Sequence, residues 1–68
     1  MERRTWRDVE EIARDLAEHY PELDPLAVEF KQLRAMIIGL PTFGDEPDAG
    51  TDAILEAIQS AWYDEYER

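Results

Sequence analysis

Residues 20–30 read YPELDPLAVEF, and this stretch decides whether the chain forms one long helix or several short ones. Pro21 and Pro25 stand four positions apart. Each lacks a backbone donor and biases the residue before it away from helical geometry, so no continuous helix passes through. Leu26, Val28 and Phe30 then alternate with other residues, the period of an extended segment. The reading is a turn at Asp24-Pro25, with room for one helical turn. A short extended segment near Val28–Phe30 follows and tucks Val28 and Phe30 inward.

Working upstream, Val9, Ile12, Ala13, Leu16 and Tyr20 form a helical apolar stripe that Pro21 ends. Thr5 followed by Asp8 resembles a capping box, with Asp replacing the usual Glu. Arg7 with Glu11, Glu10 with Arg14, and Arg14 with Glu18 place opposite charges four residues apart on the outer face. Each such pair contributes about 0.2–0.5 kcal/mol. Downstream, Leu33, Met36, Ile37 and Leu40 mark a second helix, which Gly39 and Pro41 terminate. Ile54, Ile58, Ala61 and Trp62 mark a third, with Leu55 at its edge and Asp52, Glu56, Gln59 and Glu67 facing away. The expected fold is all-α: a single small three-helix domain over residues 1–68, with helices at about 6–20, 31–39 and 52–66.

Sixty-eight residues bury only about 60% of the surface that the unfolded chain exposes, so the core is small. Without cysteine there is no disulfide, thiolate metal site or cysteine nucleophile. No apolar run reaches the roughly 20 residues of a membrane span, and the stretch MERRTW lacks the apolar run expected of a signal peptide. A cytoplasmic location is therefore expected. Seventeen acidic residues against seven basic ones give a net charge of -10. Such a field repels nucleic acids and anionic membranes, and favours basic protein surfaces and hard cations. Solubility alone is the competing explanation of the charge.

Catalysis finds little support. Ser60 and His19 are the only serine and histidine, and no oxyanion motif accompanies them, so no enzyme is expected. His19 suits the negative end of the first helix dipole better than a metal. Zinc lacks its usual ligands, and Gly39, Gly44 and Gly50 are too scattered for a phosphate loop. A calcium-loop template begun at Asp45 finds Gly50 and Glu56 in place, but Pro47 and Ala49 where oxygen ligands are needed. Asp45, Glu46 and Asp48 leave two roles open. They can share a hard or borderline cation in a weak, shallow site, iron included. Alternatively, Asp48 and Asp52 serve the start of the third helix. Trp62 reads as core, and Trp6 as a packing contact or a partner anchor.

The ordered series TWRD, YPELDP, VEF, FGDEP and ILEAIQSAWYDE resembles the IscX family, small acidic proteins of bacterial iron–sulfur cluster assembly. The likeness runs from Trp6 to about Glu65. It implies a helical domain related to the winged helix, and an adaptor or regulator rather than an enzyme. Its implied partner is the cysteine desulfurase, on whose basic surface it competes with bacterial frataxin and modulates cluster formation. The docking residues so implied are Asp45, Glu46 and Asp48, with Glu22, Asp24 and Glu29 as further candidates. Weak binding of ferrous or ferric iron through Asp45, Glu46 and Asp48 is the alternative role, with no tightly bound cofactor. A monomer is expected. Met36 departs from the family's usual tryptophan. Gly39, Pro41, Thr42 and Gly44 stand where carboxylates are typical, which weakens an iron site more than a docking surface.

Overall fold

In the computed structural model, which describes residues 3–68, the chain breaks where its prolines require. Three helices result: α1 (Val9–His19), α2 (Phe30–Ile38) and α3 (Asp52–Tyr66). Two single 3-10 turns, Pro25–Ala27 and Pro47–Ala49, connect them. The fold is all-helical, as expected. The one β pairing among the described residues is an isolated parallel bridge between Arg4 and Phe43. There the Arg4 N–H donates to Thr42 O at 2.7 Å, and the Gly44 N–H donates to Arg4 O at 2.9 Å.

Helix α1 starts three residues later than its cap signal suggested. The Thr5 N–H donates to Asp8 Oδ2 at 2.9 Å, and the Asp8 N–H donates to Thr5 O at 3.0 Å. The carboxylate half of the capping box thus forms, but it closes a turn ahead of the helix, and Ile12 N–H to Asp8 O makes the first helical bond. Trp6 consequently lies in this turn rather than on the helix. At the other end Tyr20 has left helical geometry (φ -130°, ψ 61°) and is 37% exposed, so it departs from the buried stripe of Ile12, Ala13 and Leu16.

The proline segment is more helical and less extended than its alternation implied. Asp24 Oδ1 accepts from the Leu26 N–H at 3.0 Å and caps the 3-10 turn. Of the expected extended stretch Val28–Phe30, Val28 and Glu29 are extended, with ψ of 126° and 156°, while Phe30 already opens α2. Val28 is buried and Phe30 half-buried, so the inward turn of both holds.

Helix α3 has its expected span but is rotated from its expected face. Leu55, Ile58 and Trp62 are fully buried, and Ile54 and Ala61 flank them half-buried. Gln59, expected to face away, donates through Nε2 to Pro25 O at 2.8 Å and Val28 O at 3.1 Å. This link holds the proline turn against α3. Asp15 is buried on α1, where Oδ2 accepts from Arg4 Nε at 3.1 Å and Thr42 Oγ1 at 2.8 Å. It joins both strands of the Arg4–Phe43 bridge region to the helix.

Candidate functional site

The acidic loop between α2 and α3 is folded around Trp6. Asp45 Oδ2 accepts from the Trp6 N–H at 3.2 Å, and its Oδ1 accepts from the Glu46 N–H at 2.8 Å. Glu46 O accepts from the Trp6 indole at 2.6 Å. Phe43 meets the indole edge-on at a centroid distance of 4.8 Å. Gly50 lies so close to the ring that an added Cβ would stand 2.8 Å from three of its carbons. Arg34 Nη2 donates to Gly50 O at 2.7 Å and fixes the end of the loop to α2. Trp6 is therefore a packing residue, 2% exposed.

With this geometry the six candidate acidic residues fall into three places. Asp45 is half-buried and structural, whereas Glu46 and Asp48 expose their side chains beside the start of α3. The cap of α3 is Thr51, whose Oγ1 accepts from the Ile54 N–H at 3.3 Å, and not Asp48, which sits in the preceding 3-10 turn. Asp52 occupies the first position of α3, where a carboxylate suits the helix dipole. Glu22 and Asp24 are exposed in the proline segment. Asp24 lies near enough to Tyr63 to act on it: Glu67 chiefly, and Asp24 with it, pushes the Tyr63 phenol above its ordinary value. Tyr63 is three turns beyond Asp52, about 16 Å along the α3 axis. Glu29 precedes α2 and is exposed, with no side-chain capping bond.

These positions form a surface rather than a cage. Among the described residues no group of three or more His, Cys, Asp or Glu is arranged to hold a metal ion. Both Asp45 oxygens accept backbone N–H groups, leaving Glu46 and Asp48 as neighbours on open loop. That donor set does not fit a preformed iron site, which needs converging oxygens. His19 is exposed at the end of α1, and Ser60 is exposed on α3. None of the three ion pairs expected along α1 forms among the described residues; the pairs present are Arg4–Asp15 and Glu65–Arg68. Among the described residues no helix is long and apolar enough to cross a membrane.

Sequence reasoning did not assign Asp15 a role, nor Gln59 its inward one. Both act through partners at least eleven residues away.

The model of a family described as "Iron-sulphur cluster assembly" matches residues 5–67. An uncharacterized protein of Pseudomonas aeruginosa is 48% identical over 60 residues, which cover 88% of this chain and 91% of that protein.

Proposed function

Because the chain belongs to the IscX family of iron–sulphur cluster assembly proteins, we propose that it is an acidic adaptor for the cysteine desulfurase. In this reading it docks on the basic surface of that enzyme, competes there with bacterial frataxin, and adjusts the rate at which clusters form. The observation that carries the reading is a set of exposed, unpaired carboxylates. Glu22, Asp24, Glu29, Glu46 and Asp48 all reach solvent, and none enters an ion pair among the described residues. On a chain of net charge -10 these groups remain available to a cationic surface. Complementary fields of this kind accelerate encounter and select the partner more than they raise intrinsic affinity.

The test is a binding titration against the desulfurase at several salt concentrations. Affinity falls by about tenfold or more between low and physiological salt, because screening lengths shrink to roughly 8 Å. Frataxin displaces the chain under the same conditions. The paired variants Glu46→Gln/Asp48→Asn and Glu22→Gln/Asp24→Asn report which end of α3 carries the contact. An affinity indifferent to salt refutes electrostatic docking.

A further inference from the structure

A cleft of about 180 Å³ lies between the end of α1 and the last turns of α3, three turns along α3 from the acidic loop. Ala17, Tyr20 and Pro21 form one wall, and Trp62, Glu65 and Tyr66 the other. Its aromatic lining follows from the local sequence. Tyr20 leaves the helix ahead of Pro21 and stays 37% exposed, and Tyr66 closes α3 at 42% exposed. Two of the four large exposed hydrophobic side chains among the described residues therefore face one small cavity.

Three independent features give this cleft a preference for a cation. Tyrosine faces carry the negative lobe of the ring quadrupole and attract guanidinium or ammonium groups. The Glu65 carboxylate is only weakly held, its nearest cation being Arg68 Nη1 at 4.0 Å on a side chain 77% exposed. Both helices also end here, and α3 has no basic residue in its last turn to answer the negative end of its dipole. The volume equals about six waters, enough for one planar head group and its methylenes. A guanidinium suits it better than an ammonium, because it stacks on rings and presents a fork to a carboxylate.

We infer that this cleft receives an arginine side chain presented by a basic protein partner, as a second docking point distinct from the acidic loop. The inference rests on the reading that the chain docks on a basic protein surface, and it names the side chain that this surface inserts.

The full chain is titrated with tri-arginine and, separately, with tri-lysine, and followed by amide and indole NMR. Tri-arginine shifts Ala17, Tyr20, Glu65, Tyr66 and the Trp62 indole N–H saturably, and tri-lysine shifts them less. Glu65→Gln and Tyr66→Ala, both near the exposed end of α3, each weaken the tri-arginine response by about fivefold. The unchanged core resonances of Ile12 and Leu33 certify that both variants are folded. Shifts confined to Asp45, Glu46 and Asp48, an equal response to tri-lysine, or a response unmoved by either variant overturns the inference. The desulfurase arm separates the two readings. Undiminished binding by both variants removes the cleft and leaves the docking. A wild-type chain that ignores the desulfurase while its cleft accepts tri-arginine removes that partner and leaves the cleft.

Discussion

Trp6 is fastened by groups some forty residues away, and the quality of that contact depends on an absent side chain. Its indole N–H reaches Glu46 O, its backbone N–H reaches Asp45, and its ring rests on the bare Cα of Gly50. No turn conformation demands this glycine, since its φ is -82°. Close approach demands it. Gly50→Ala therefore forces the buried ring to move, with a cost of about 1–3 kcal/mol, the range for overpacking a filled site. Gly39 supplies the control, because a Cβ at this exposed end of α2 meets nothing nearer than Ala35 O at 3.3 Å, and its φ of -79° suits alanine. Urea unfolding followed by tryptophan fluorescence checks both, and equal midpoints for Gly50→Ala and Gly39→Ala contradict the account. The sequence showed that Trp6 could pack. It could not show against what, because the partners are carbonyls and a glycine in a distant loop, which leave no periodic mark.

At the scale of elements, what was legible is what is local. Two prolines break the chain between α1 and α2, a third closes α2, and apolar spacing marks each helix within a few residues of its true ends. The boundary of α1 was misplaced because Thr5 and Asp8 satisfy each other in a turn that precedes the helix. The face of α3 was misjudged because Gln59 is polar, and only tertiary structure reveals that it bonds the proline turn. That bond has a consequence. Pro25 O and Val28 O share the single Gln59 amide, so Gln59→Ala strands Val28 O at a partly buried junction and leaves Pro25 O only the long 3.4 Å bond from the Val28 N–H. The expected loss is about 1–2 kcal/mol. Amide exchange should quicken first at Leu26, Ala27 and Val28, while Ile12 and Leu16 retain their order of protection. Uniform acceleration along the chain instead means that Gln59 supports the whole core and not this turn. The candidate site divides similarly. Its acidic residues were legible one by one, whereas their separation between the two ends of α3 is a property of the folded chain.

Across the whole molecule, the same charge that favours a basic partner opposes the compact state. Seventeen acids and seven bases share a domain whose Cα radius of gyration is 10.6 Å, and the ion pairs among its described residues number two, one of them as long as 4.0 Å. Carboxylates held this close repel one another more in the folded chain than in the expanded one. Screening by monovalent salt relieves that repulsion, so stability should rise with salt while docking on a cationic surface should weaken. The two responses have opposite signs and a common cause. A gain on the order of 1 kcal/mol between low salt and about 0.3 M raises Tm by roughly 4–8 °C for a domain of this size. Calorimetry in sodium chloride measures it, and sucrose at matched osmolality controls for exclusion from the surface, which stabilises without screening. The double variant Glu46→Gln/Asp48→Asn should flatten the salt dependence of Tm and of desulfurase affinity together. A Tm that is level or falling in sodium chloride, or one that rises equally in sucrose, shows that the acids are too well solvated to strain the fold. In that event the charge acts on partners alone.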